Sequence, residues 1–200
     1  MTLKLHTIIA STRPGRVGPS IAQWFNDFAA EHGKFDPVLV DLADFNLPVF
    51  NEPEHPRLRN YHHAHTKAWS ESVASADAFV FVTPEYNYGP PPSLLNALNY
   101  LAVEWAYTPA GFVSYGGISG GLRSVQVTKQ ILTTFKVMPV PEGVPMPMVF
   151  PHIENGKLKP QEIYKTSAAM MLDEMHKWAE ALKALRSQHK ASLQRKAEAA

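Results

Sequence analysis

The chain has 200 residues, 45% of them hydrophobic and 18% charged, with 19 Lys and Arg against 18 Asp and Glu and a formal net charge of +1. That length and balance suit one globular domain with a substantial core, and they exclude a disordered chain or a strongly basic surface made for nucleic acid or acidic membrane. The absence of cysteine removes disulfides, thiolate zinc sites, cysteine-ligated iron–sulfur clusters and cysteine nucleophiles.

Residues 3–10 begin alternating and end in Ile8-Ile9-Ala10, which predicts a first strand. Lys4 and His6 interrupt its apolar run, which is too short for a secretory signal. No stretch approaches the ~18 apolar residues of a membrane span, so a cytoplasmic protein is expected. A loop, Ser11-Thr12-Arg13-Pro14-Gly15-Arg16-Val17-Gly18-Pro19-Ser20, comes next. Ile21, Trp24, Phe25, Phe28 and Ala29 then recur at helical spacing, up to a stop at Gly33. Residues 35–42 read as the second strand. Residues 44–56, with Pro48, Pro53 and Pro56, read as an extended loop. Leu58, Tyr61, His65, Ala68, Trp69 and Val73 predict a second helix.

Ala78-Phe79-Val80-Phe81-Val82 is apolar without alternation, the pattern of a strand buried on both faces. The loop after it, 83–92, holds Pro84, Glu85, Tyr86, Asn87, Tyr88 and three further prolines. Leu94, Leu98 and Leu101 mark a third helix, and residues 109–115 a fourth strand. That strand runs into Gly116-Gly117-Ile118-Ser119-Gly120-Gly121 and a fourth helix over 122–136. Residues 138–149 are apolar but hold Pro139, Pro141, Pro145 and Pro147, which predicts at best a short fifth strand near an edge. The last helix is expected from about residue 161 past Arg186, with Met171, Met175, Trp178, Leu182 and Leu185 along one face. The polar, alanine-rich end, 188–200, reads as a frayed or disordered tail on a single domain of residues 1–187.

Strands alternating with helices predict an α/β flavodoxin-like three-layer sandwich, with a five-stranded parallel sheet of order 2-1-3-4-5 and helices on both faces. Part of a dinucleotide-binding sheet is the alternative. In the first order the chain reverses direction between strands one and three. The three unusual loops, after strands one, three and four, then converge at the carboxyl edge, where open α/β sheets bind ligands.

The first loop offers the hydroxyls of Ser11 and Ser20, the guanidiniums of Arg13 and Arg16 and the N–H groups of a helix start, which suit a phosphate. A serine-capped helix with solvated arginines is the plainer alternative. The loop is neither G-x-x-x-x-G-K-[ST] nor G-x-G-x-x-G, so a terminal monophosphate fits better than a triphosphate or dinucleotide. The second loop supplies aromatic walls and backbone donors, and the third supplies glycines for close backbone approach. A phosphate at one loop and a planar ring between the other two describe flavin mononucleotide, FMN.

The Ser-x-Arg after strand one, Pro84-Glu85-Tyr86-Asn87-Tyr88 after strand three and the paired glycines after strand four resemble the NAD(P)H-dependent FMN reductase family. That family includes quinone, azo-dye and chromate reductases. The resemblance implies that Ser11, Arg13 and Ser20 bind the FMN phosphate, with Arg16 beside them. Pro84, Glu85, Tyr86, Asn87 and Tyr88 would line the ring, and Ser114, Gly116, Gly117 and Ser119 would border its other side. It implies non-covalent FMN, NAD(P)H as hydride donor, ping-pong turnover and no side-chain catalyst, since the flavin carries the redox chemistry. It also implies a homodimer or homotetramer with Trp105 and Tyr107 as wall residues at the subunit boundary. No nucleic-acid, membrane or metal partner is expected.

Two rivals remain. Gly117-Ile118-Ser119-Gly120-Gly121 matches the G-x-S-x-G of serine hydrolases, with Asp173 and His176 downstream. A flavodoxin-type electron carrier is the other, although such carriers are strongly acidic with Ser/Thr-rich phosphate loops. His62 and His65, if helical, would share a face and could chelate a metal as a pair; solvated or core-edge histidines are the plainer reading.

Overall fold

The computed structural model describes residues 2–198. Five strands form one parallel sheet: β1 (Leu3–Ile9), β2 (Phe35–Asp41), β3 (Ala78–Pro84), β4 (Pro109–Tyr115) and β5 (Met138–Met146), in the order β2-β1-β3-β4-β5. Every residue of β3 and β4 is buried, as two covered faces require of central strands. The helices α1 (Gly18–His32) and α5 (Glu162–Glu198) cover one face, where Ile21, Phe25, Met171 and Met175 pack on Leu5, Val80 and Val113. The other face carries α2 (Ala64–Ser75), α3 (Pro92–Asn99) and α4 (Leu122–Thr134), whose Trp69, Leu98 and Leu132 join Phe79, Phe81 and Phe112. This is the flavodoxin-like sandwich expected from the sequence, with the expected strand order.

Prolines sort by position. Pro37 lies in β2 and Pro139, Pro141 and Pro145 in β5, the two edge strands, where an absent N–H leaves no outer ladder incomplete. For that reason β5 reaches nine residues rather than the short piece predicted. A small antiparallel pair, β6 (Ile153–Glu154) and β7 (Lys157–Leu158), precedes α5.

Two helix boundaries depart from the sequence pattern. The second helix begins at Ala64, six residues later than its apolar spacing suggests. The buried carboxylate of Glu52 accepts the N–H groups of His62 and His63 at 2.8 and 3.0 Å and so places an acid at the new helix start. The last helix continues through Glu198, across most of the stretch read as a frayed tail; residues 199 and 200 lie outside the described residues. Its buried stripe runs through Ala168, Met171, Met175 and Ala179 to Arg186, leaving Leu185 exposed. The Arg186 guanidinium binds Asp77 at 3.1 Å and the Tyr107 carbonyl at 3.2 Å, and His189 Nε2 lies 2.9 Å from the Val103 carbonyl.

Candidate functional site

Strands β1, β3 and β4 end side by side, so the loops 10–17, 85–91 and 116–121 all leave the carboxyl edge at the point where the strand order reverses. They are tied to one another. Ala10 N–H donates to the Val82 carbonyl at 3.0 Å, and Glu85 N–H to the Tyr115 carbonyl at 3.1 Å. The Ser93 hydroxyl at the start of α3 donates to the Ala10 carbonyl at 2.6 Å.

In the first loop the two arginines part company. Arg16 is committed to the protein, its Nη1 and Nη2 meeting the Asp41 carboxylate at 3.0 and 2.5 Å and its Nη1 also the Ser11 carbonyl. Arg13 is exposed, and its one hydrogen bond is to the neighbouring Pro14 carbonyl at 3.3 Å. Ser11 is fully buried, its hydroxyl 3.3 Å from that of Tyr115. The Tyr115 phenol is pushed up to about 12, chiefly by burial, and stays neutral. Gly18 opens α1 directly over this pair, because a Cβ there would lie 2.8 Å from each hydroxyl. The Ser20 hydroxyl accepts the Leu158 N–H at 2.6 Å and keeps its own proton to donate. Among the described residues, the N–H groups of Ser11, Thr12, Arg13, Gly15, Arg16, Val17 and Gly18 donate to no backbone acceptor. No side chain caps α1 either. Unpaired N–H groups, a positive helix end and a free guanidinium are the donor set a phosphate requires.

The second loop folds on itself. Tyr86 and Gly89 exchange two backbone hydrogen bonds of 2.9 Å across Asn87 (φ 49°) and Tyr88 (φ 68°), a type I′ turn. The tip leaves Tyr88 70% exposed. Pro90 and Pro91 are buried and Pro92 opens α3, which makes the base of the loop stiff.

The third loop is bonded to its neighbours on both sides. Ser114 turns its hydroxyl inward to the Gly120 carbonyl at 2.8 Å. Ser119 donates to Glu85 Oε2 at 2.6 Å. Arg123, in the first turn of α4, donates its N–H to Glu85 Oε2 at 3.1 Å and Nη1 to Oε1 at 2.8 Å. Its guanidinium lies 4.2 Å from the centre of the Tyr88 ring. Gly116 and Gly117 carbonyls accept the N–H groups of Val149 and Met148 at 3.3 and 2.9 Å. The glycines divide by task. At Gly121 (φ 85°) a Cβ would lie 2.7 Å from Tyr115 N, so that residue lets the loop close on its own chain, whereas Gly117 faces open space.

All the residues read as site candidates therefore lie at one edge, from Ser11, Arg13, Arg16 and Ser20 through Pro84 to Tyr88 and on to Ser114, Gly116, Gly117 and Ser119. Sequence reasoning did not find Asp41 or Arg123, nor the place of the Tyr115 hydroxyl beside Ser11. Arg123 stands just behind the glycine pair and carried a local signal; Asp41 and Tyr115 close the second and fourth strands and carried none.

Other expectations are corrected. Trp105 is fully buried, edge-on to Trp69 and Phe79 at centroid distances of 5.7 and 5.0 Å, and is a core residue. Tyr107 precedes β4 and packs on His189 at 5.4 Å, at the amino edge of the sheet, away from the three loops. Ser119 is bonded to Glu85 and not to a histidine. Asp173 pairs with Lys34 at 2.6 Å and His32 at 3.0 Å, while His176 packs on Phe35, the first residue of β2. A hydrolase triad is thus split between opposite sheet edges. His63 and His65, rather than His62 and His65, lie together, stacked at 5.1 Å beside Asn51. No group of three metal-ligating side chains is placed to hold an ion among the described residues.

A sequence profile for NADPH-dependent FMN reductase matches residues 3–150. An NAD(P)H-dependent FMN reductase of Schizosaccharomyces pombe is 44% identical over 123 residues, 60% of this chain; the match spans 62% of that protein, less than two thirds of its length. A second, from Nectria sp., is 33% identical over 166 residues, 78% of this chain and 83% of that one. Among solved structures, the flavoenzyme NAD(P)H:(acceptor) oxidoreductase FerB of Paracoccus denitrificans superposes with a TM-score of 0.72 at 17% identity, covering 90% of this chain and 98% of its own, a likeness of fold. With a match over most of its length, the chain belongs to the NADPH-dependent FMN reductase family.

Proposed function

We propose that this protein is an FMN-dependent oxidoreductase that takes hydride from NADH or NADPH and reduces small acceptors: quinones, azo dyes, metal oxyanions or free flavin. The observation that carries the reading is the unpaired N–H groups of the first loop beside a free Arg13, at the same edge as two loops suited to a planar ring. Those donors fit FMN. The free N–H groups of 11–13 and 15–18, Arg13 and the Ser20 hydroxyl would hold its phosphate. Backbone from Pro84 to Tyr88 and from Gly116 to Ser119 would flank its ring. FMN held there would supply reversible hydride and electron transfer between the nicotinamide and the acceptor, in a ping-pong order.

The chain's own groups bind, orient and shield. Buried Ser11 and Tyr115 support the phosphate loop from beneath. Pro90 and Pro91 hold the Tyr86–Gly89 turn at a fixed height. Tyr88, Ile118 and Met148, respectively 70, 85 and 59% exposed, rim the two ring-side loops with apolar surface that suits planar, weakly polar acceptors. No side chain at this edge is needed to move a proton.

The same reading makes the molecule a cytoplasmic homodimer or homotetramer organised as one domain that includes the last helix through Glu198. A groove of about 870 Å³ beside Thr12, lined by the exposed Val49 and Phe50 and by Leu95 and Asn99 of α3, is the surface assigned to a second copy. Among the described residues no helix is long and apolar enough to cross a membrane.

The test is direct. Purified protein should be yellow, or become so on adding FMN, and should bleach on anaerobic addition of NADH or NADPH and recover with a quinone. A protein that binds no FMN defeats the proposal. One that binds FMN but is not reduced by either nicotinamide is an electron carrier instead. Sedimentation of the same sample reads its oligomeric state, and a monomer would remove the groove's assigned role.

A further inference from the structure

Glu85 sits among residues expected to line a ring, yet its carboxylate faces the protein. Its side chain is 9% exposed and accepts three hydrogen bonds, from the Ser119 hydroxyl, the Arg123 N–H and the Arg123 guanidinium, at 2.6, 3.1 and 2.8 Å. All three donors come from the loop after β4 or the first turn of α4, whereas Glu85 belongs to the loop after β3. The same guanidinium then lies over the ring of Tyr88, back at the tip of the Glu85 loop. One carboxylate and one arginine therefore join the base of one ring-side loop, the tip of that loop and the loop opposite.

The chemistry of the clamp is internally complete. Burial alone would raise the Glu85 carboxyl, but the bonds from Ser119 and Arg123 outweigh it and hold it below the usual range, so it is charged at neutral pH. Ser119 both donates to Glu85 and accepts the Gly121 N–H at 3.3 Å, so the serine of the G-x-S-x-G match is a strut. Arg123 is the charged group facing the carboxylate; Tyr86 and Tyr88 are the other titratable side chains on its own loop.

We propose that Glu85 is a positioning residue: clamped to Ser119 and Arg123, it sets the width of the slot between the second and third loops that holds the flavin ring, and makes no contact with the flavin itself. The inference rests on the FMN reading above. The two remain separable because riboflavin carries the ring without the phosphate.

Flavin-free protein would be titrated with FMN and with riboflavin, following the quenching of flavin fluorescence. Glu85→Ala should weaken both ligands by the same factor, about tenfold. Arg123→Met should do the same, and the double variant should be no worse than the weaker single one, because both substitutions break one clamp. Arg13→Ala, at the phosphate end, should weaken FMN alone. Glu85→Gln keeps the size and one acceptor oxygen, and it carries the test if Glu85→Ala does not fold. Its riboflavin affinity should be reduced and flat with pH. Wild-type riboflavin affinity should hold through the usual carboxylate range and fall only at lower pH, where the clamped Glu85 takes a proton, read within the range where circular dichroism shows folded protein.

Unchanged riboflavin affinity in the Glu85 and Arg123 variants would overturn the proposal. So would single losses that add in the double variant, or a wild-type pH profile in Glu85→Gln. If wild-type protein binds FMN and riboflavin but Glu85→Gln binds as wild type does, the clamp fails while the flavin reading stands. If wild-type protein binds neither flavin, both fall.

Discussion

Arg13 and Arg16 stand three residues apart in one loop and read alike in sequence, but their surroundings give them different work. Asp41 ends β2, the strand beside β1, and so comes within bonding distance of Arg16 from 25 residues away. Arg16 therefore locks the loop, and Arg13 is left exposed where the proposed FMN phosphate would lie. Arg13→Ala should lower FMN affinity by at least about tenfold, the loss of a charge-assisted contact of ~1.5–3 kcal/mol, with an unchanged melting temperature. Arg16→Ala should instead cost stability of about 1–2 kcal/mol, since its partner is itself partly solvated. Titration calorimetry and thermal melts of the two variants separate the roles; the reverse pattern would exchange them. Residue types in these loops were legible as chemistry, but which residues are tied to the protein was not, because the deciding ties, Arg16 to Asp41, Ser11 to Tyr115 and Glu85 to Ser119 and Arg123, cross between chain segments.

At the scale of elements, local signals sufficed where the cause was local. The glycine stop after α1 and the unalternated apolar run of β3 both appear as expected. The second helix did not, because Glu52, ten residues upstream of His62, captures the N–H groups that would have begun it. The last helix outran its apolar stripe because its late contacts are polar, through Arg186 and His189, and the receiving carbonyls of Tyr107 and Val103 lie far away in sequence. Truncation after Ser187 should consequently lower stability by about 1–2 kcal/mol, measured by denaturant melts, while leaving FMN affinity unchanged, as the helix end meets the amino edge of the sheet. No change in stability would mean that the segment is frayed in solution, as composition alone suggests.

Across the whole molecule, burial sets the pH range of the fold. His6, in β1, is 3% exposed, and burial together with Lys4 lowers its pKa from 6.5 to about 4. Between those values the unfolded chain binds a proton that the folded chain does not. Stability therefore rises with pH across this window, and about 3 kcal/mol is lost on acidification from pH 6.5 to about 4. His6→Leu should flatten that limb in urea melts taken across the window; an unchanged slope would place the titration elsewhere. The sequence by itself determined the layered α/β fold, narrowed the strand order to two and marked the three unusual loops that follow strands one, three and four, because apolar periodicity and the handedness of crossovers are properties of successive residues. Only the tertiary structure decided which arginine is free, that Trp105 belongs to the core and that Glu85 faces Ser119 and Arg123 rather than a ligand. Those outcomes depend on which distant segments the sheet brings into contact, and no run of neighbouring residues encodes them.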